Sequence, residues 1–170
     1  MRRLITIILL INQFVCTNNP NLNYHRNIID GLKESKQTGK PIFLMFNGYF
    51  NIGYDSFKNK LIINKKVVNT LNKNFVNIIL YCDDPRMMTN ADTLSFSEFG
   101  FDNLLMPYQS KIKSFGNLNA FLEIAMYDIN TQPIYVIMDS NLNLLIDPFG
   151  AVSNPDQFYS KLELALQKLK

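Results

Sequence analysis

Apolar residues along this chain fall either at helical spacing or in unbroken runs, and the alternation between the two predicts an order of elements. From Tyr24 to Gln37, Ile28, Ile29 and Leu32 recur on one side while Lys33, Glu34 and Lys36 fill the other, which predicts an amphipathic helix ended by Thr38-Gly39. Pro41 to Phe46 is then continuously apolar, the pattern of a strand covered on both faces. Tyr54 to Ile63 and Lys65 to Leu71 read as a broken helical stretch, and Phe75 to Cys82 as a second buried strand closed by Asp83-Asp84-Pro85. Further on, Leu118, Phe121, Leu122 and Ala125 mark a helix over Asn117 to Tyr127. Ile134 to Asp139 and Leu142 to Ile146 predict two short antiparallel strands joined through Ser140-Asn141. A last helix opens with Asn154 as N-cap and Pro155 at its first position, and Phe158, Leu162, Leu166 and Leu169 form its buried stripe.

Between the second strand and the third helix, about residues 85–114 carry no sustained period. Phe96, Phe99, Phe101, Leu104, Leu105 and Met106 would be costly to leave in water, so this irregular insertion is expected to pack down on the sheet rather than to form a linker. Exposed, the same residues would be a contact surface. The whole order predicts an α/β domain over residues 24–170, with one mixed central β-sheet and helices on both faces.

The first residues have a different character. Arg2 and Arg3 precede a short apolar run from Leu4 to Ile11 that breaks at Asn12-Gln13, the layout of a secretory signal peptide over about residues 1–18. The run is well short of the roughly 20 apolar residues that a spanning helix needs. Cys16 offers a second reading as the acceptor of a lipoprotein signal, although Gln13, Phe14 and Val15 before it are not the usual residues; membrane attachment is expected only if Cys16 is lipidated. Loss of this leader takes the chain from 17 basic and 14 acidic residues, +3, to 15 and 14, +1, so charge gives no argument for nucleic acid. An exported, periplasmic or cell-envelope location follows as the expectation.

Chemistry-bearing residues are few. One histidine, His25, and one cysteine beyond the leader, Cys82, leave no zinc constellation and no intramolecular disulfide, and neither a metal nor a cofactor is expected. Asp83-Asp84 reads as a solvated loop, and His25 as a surface or capping residue. Cys82 ends a buried strand without a cationic neighbour in sequence to depress its pKa.

Several local motifs agree in order. Lys40-Pro41 leads an apolar strand into Phe46-Asn-Gly48, Asn74-Phe-Val76 leads into Leu80-Tyr-Cys-Asp-Asp84, and Phe115-Gly-Asn117 precedes Asn130-Thr-Gln-Pro-Ile-Tyr-Val-Ile-Met-Asp139. Together they resemble the thioredoxin-like domains of bacterial thiol:disulfide interchange proteins, over nearly all of the chain from Tyr24. The resemblance implies a thioredoxin-like fold in which Gln132-Pro133 is a cis bond facing a substrate groove. Where relatives carry Cys-x-x-Cys, this sequence has Asn51 and Tyr54, which can neither form a thiolate nor close a disulfide. Asn51 would still suit a helix start. The implied function is an exported, redox-inactive module that binds a protein or peptide at Tyr49, Phe50, Asn51, Tyr54, Gln132 and Pro133. The alternatives are a redox accessory acting through the single thiol of Cys82, or a structural subunit of an envelope complex that docks through the aromatic insertion.

Overall fold

The computed structural model describes residues 21–49, 55, 57–90, 92, 96 and 99–169. Its centre is a three-stranded sheet of β1 (Ile42–Asn47), β2 (Val76–Tyr81) and β3 (Ile134–Met138) in the order β2-β1-β3. β1 runs parallel to β2, with Ile42 beside Val76, and antiparallel to β3, with Phe46 beside Ile134. Every residue of the three strands is buried, the polar Asn47 and Asn77 among their apolar neighbours included.

Alternation along β1 divides the core into two layers. Phe43 and Met45 face α2 (Lys65–Asn74) and α5 (Pro155–Gln167), packing with Leu71, Phe158 and Leu162. Ile42, Leu44 and Phe46 face α1 (Ile28–Thr38) and α4 (Phe115–Tyr127), packing with Ile28, Leu32, Leu118 and Leu122. The sheet is thus mixed and covered on both faces, as the sequence predicts.

Helix ends follow local chemistry. Asn27 Oδ1 accepts from Ile29 N at 2.9 Å, and Gly39 closes α1 at φ 68°, a conformation that glycine enters without steric cost. Asn154 caps α5 through Asp156 N and Gln157 N, with Pro155 at the first position. Ser114 caps α4, which therefore starts two residues before the expected Asn117.

Four expectations need correction. The first helix does not begin at Tyr24: His25 instead bridges the outer edge of β2, its N–H donating to Asn77 O and its carbonyl accepting from Ile79 N. Leu142 to Ile146 does not form a strand. The Asp139 carboxylate accepts from the backbone of Asn141 and Asn143, Leu142 turns to φ 69°, and only isolated bridges, Met138 with Leu144 and Tyr135 with Phe149, cover the edge of β3. The stretch after the loop contains a π-helical turn, Phe57–Leu61, before α2. On α5 the buried stripe runs through Phe158, Leu162 and Ala165, while Leu169, beyond the helix end, is 44% exposed.

The insertion packs down through Phe96, Phe101 and Leu105, with Phe99 and Leu104 half-buried, and Met106 stays exposed. Its chain forms α3 (Phe101–Leu105) and a 3-10 helix (Met106–Lys111), and it is pinned at its base by the bridge between Met87 and Ser114. A cavity of about 490 Å³ lies between that bridge and the two short helices.

Candidate functional site

The site lies where the C-terminal ends of β1 and β2 meet the start of β3. Gln132–Pro133 is a cis peptide bond. One step beyond the pair Phe46 and Ile134, the antiparallel register puts Pro133 beside Asn47, on the α2/α5 side of the sheet. Strand alternation turns the preceding Gln132 to the opposite, α4 side.

Tyr49, just before the loop, is fixed on three sides. Its backbone N–H donates to both Asp83 carboxylate oxygens, at 3.0 and 2.8 Å. Its ring stacks on Tyr81 with centroids 4.1 Å apart and planes 5° from parallel. The Arg26 guanidinium lies 5.7 Å from the Tyr49 centroid and 5.3 Å from that of Tyr81, and it donates to the Tyr49 hydroxyl. Phe50, Asn51 and Tyr54 lie outside the described residues, as does the leader with Cys16.

Asp84 overturns its reading as part of a solvated loop. It is 2% exposed and accepts from Arg86 through the backbone N at 3.1 Å, Nε at 3.0 Å and Nη2 at 2.8 Å, with Arg26 Nη2 at 3.5 Å. Burial alone would raise the carboxyl, but the hydrogen bonds and charge of Arg86, joined by the charge of Arg26, hold it below the ordinary aspartate value. Gly116 makes this corner compact. It donates to Asp84 O at 2.9 Å, and a Cβ there would fall 2.6 Å from Asp84 N. Any larger residue would push the start of α4 off the end of β2.

Behind the proline, on the α1/α4 side, a second polar group is buried. Glu123 is fully buried, and its Oε2 accepts from Gln132 Nε2 at 2.9 Å and from the Cys82 thiol at 3.5 Å. One turn earlier, Asn119 Nδ2 donates to Tyr81 O at 3.0 Å, so the same face of α4 serves both the end of β2 and the proline loop. Burial raises the Glu123 carboxyl above the ordinary glutamate value, more than the Gln132 and Cys82 hydrogen bonds lower it. The Cys82 thiol is also pushed well up, first by burial and then by Glu123. Half-buried as a residue, Cys82 therefore lacks the cationic setting of a reactive thiol.

Of the sequence-based candidates, Tyr49 and buried Pro133 lie at the same end of the sheet, Tyr49 against Tyr81 on the β2 side of β1 and Pro133 on the β3 side, while Gln132 and Cys82 both bond to Glu123. Glu123, Asp84, Arg86 and Arg26 were not among those candidates. Glu123 left one sequence signal: with Asn119 it repeats at four-residue spacing beside the buried Leu118 and Leu122, so the core-facing side of the helix carries two polar residues, one of them an acid. His25 Nε2 lies 2.5 Å from Glu34 Oε2, at the sheet edge. Among the described residues no cluster of three or more His, Cys, Asp or Glu side chains is arranged to hold a metal, and no helix is long and apolar enough to cross a membrane.

This strand order, with a cis-proline at the start of the antiparallel strand, can be compared with solved structures. The structure of an oxidoreductase, DsbH, superposes with a TM-score of 0.61 over 92% of each chain, at 16% sequence identity. The fold is thioredoxin-like. Neither a protein-family model nor a curated protein matches the chain. The resemblance puts Cys-x-x-Cys at the positions where the sequence has Asn51 and Tyr54, which lie outside the described residues.

Proposed function

We propose that this protein is an exported thioredoxin-like module that binds an extended protein or peptide segment at the groove between Tyr49 and cis-Pro133, without thiol-disulfide exchange. The observation that carries the reading is the setting of Cys82. The one described thiol near the groove is turned to Glu123 on the far side of the sheet and pushed up in pKa, while the loop positions that would need thiols are Asn51 and Tyr54. Tyr49 supports the binding half of the reading, because it is held by Asp83, Tyr81 and Arg26 and remains 36% exposed. Aromatic side chains with a polar tip suit such contacts. Export rests on the pattern of the first 18 residues.

Two assays test the two halves of this reading. The mature protein should fail to reduce insulin disulfides in the presence of dithiothreitol beyond the uncatalysed rate. An array of immobilised peptides should contain sequences that hold the parent and release a Tyr49→Ala variant of equal circular dichroism. Catalysed insulin reduction would remove the first half, and identical peptide profiles for parent and variant would remove the second.

A structural subunit docking through the insertion is the second reading. It is favoured by the exposure of Met87, 67%, and Met106, 63%, at the cavity there. It predicts that a partner is lost on Met106→Lys and kept on Tyr49→Ala.

A further inference from the structure

We infer that Glu123 is a positioning residue that latches the proline loop from behind, closed while its carboxyl keeps a proton and released when it ionises. The inference concerns regulation of the groove, and so its consequence for binding rests on the reading above.

The geometry is specific. Glu123 is fully buried on α4, and its Oε2 accepts from two groups of different origin, Gln132 Nε2 in the proline loop and the Cys82 thiol at the end of β2. Its other oxygen, Oε1, is buried without a hydrogen-bond partner. A carboxylic acid keeps both acceptor bonds on Oε2 and leaves only a neutral O–H on Oε1 without a partner, the less costly of the two burdens. A carboxylate would have half of its charge buried unpaired. The side chains facing the carboxyl supply no countercharge: Cys82 from β2, with Asp83 behind it, and Gln132 from the loop, joined by the Thr131 backbone. The nearest groups are neutral or acidic.

The loop that carries Gln132 over Glu123 is exposed. Asp128 ends α4 in the left-handed region at φ 52°, and Asp128, Asn130 and Thr131 are exposed. Lifting Thr131 and Gln132 would admit water to the carboxylate at far lower cost than parting α4 from the sheet, where Leu118 and Leu122 are buried. Pro133 is bonded to Gln132, so that movement reaches the groove edge directly.

The direction follows from linkage. Burial raises the carboxyl in the closed loop above its value in water. The closed form therefore binds the proton more tightly than the open one, and it is favoured at acid pH and lost as pH rises through the raised value.

Amide exchange of Thr131 and Gln132, followed by NMR from about pH 4 upward, tests the latch against Glu123→Gln, which keeps an acceptor oxygen and cannot ionise. The parent-to-variant ratio of exchange rates at each pH removes the intrinsic base-catalysed rise. It is expected to stay near one in acid and then climb about tenfold for each pKa unit by which burial has raised the acid. Gln132→Met, which removes the bond without touching the core, should exchange rapidly at every pH. A flat ratio would overturn the latch, as would Gln132→Met exchange matching the parent in acid. Should Glu123→Gln fail to fold, a parent profile that matches Gln132→Met in shape overturns it, and one that converges on Gln132→Met only at high pH supports it. No ligand is used, so a failed latch leaves peptide binding standing, and failed peptide binding leaves the latch standing.

Discussion

Tyr49 and Tyr81 lie face to face, 4.1 Å between centroids and 5° from parallel, with the Arg26 guanidinium against both rings. Tyr81 ends β2 and Tyr49 follows β1, so the stack ties together the two points where the chain leaves the sheet for the groove. An aromatic pair contributes about 0.5–1.5 kcal/mol beyond the area it buries. Tyr49→Leu, which keeps apolar bulk, is expected to lower stability by roughly 1 kcal/mol in urea denaturation. Tyr49→Phe should cost less, because the stack survives and only the bond from Arg26 is lost.

Asp84 makes stability fall with acid. Its carboxyl is held below its value in the unfolded chain, so its contribution is complete above about pH 4 and is lost as pH falls through the lower folded value. Asp84→Asn should flatten the acid limb of a plot of unfolding free energy against pH. The pair is buried at Asp84, 2%, but half-exposed at Arg86, 50%, so the loss at neutral pH should be roughly 2 kcal/mol rather than the 3–5 of a fully buried pair. An unchanged acid limb would assign the effect to another carboxylate.

Glu123 acts with the opposite sign. Its folded-state carboxyl is raised, so the stability it contributes is complete below the unfolded value, about pH 4, and declines as pH rises through the folded one. Glu123→Gln is therefore expected to be more stable than the parent at neutral pH and close to it in acid. A variant less stable at both pH values would mean that the site favours the carboxylate.

Cys82 should resist thiol reagents in the folded protein. Burial and the neighbouring Glu123 carboxyl both disfavour the thiolate, which is the reacting species. Labelling by 5,5′-dithiobis(2-nitrobenzoate) is expected to be slow in native buffer and prompt in denaturant. Rapid native labelling would restore the single-thiol reading.

Gly116→Ala tests the corner between β2 and α4. The added methyl would meet the Asp84 backbone at 2.6 Å, and backbone cannot move aside as a flexible side chain can. Overpacking of this kind costs about 1–3 kcal/mol, which a urea midpoint at unchanged slope would report.

Much of the fold was legible in the sequence because it follows from local rules. Predominantly apolar runs gave β1, β2 and β3, the cap at Asn154-Pro155 gave the start of α5, and the large apolar residues of the insertion were expected to pack down. The sheet edges were not legible. Asn23 to Arg26 is too short and too polar to show a strand period, and the apolar run expected as a strand over Leu142 to Ile146 makes only an isolated antiparallel bridge, because the Asp139 turn and Pro148 interrupt its pairing with β3.

The sequence by itself determined the order of helices and strands, their apolar faces and the residues at Asn51 and Tyr54, each a property of a residue or of its near neighbours, while the cis bond at Pro133 was implied only by the family resemblance. Only the tertiary structure decided what the charged residues do. Arg26, Asp84 and Arg86 gather from two segments 58 positions apart, and Cys82, Glu123 and Gln132 meet from a strand end, a helix and a loop. The physical reason is that burial and partners set the state of an ionisable group, and neither is a local property of the chain.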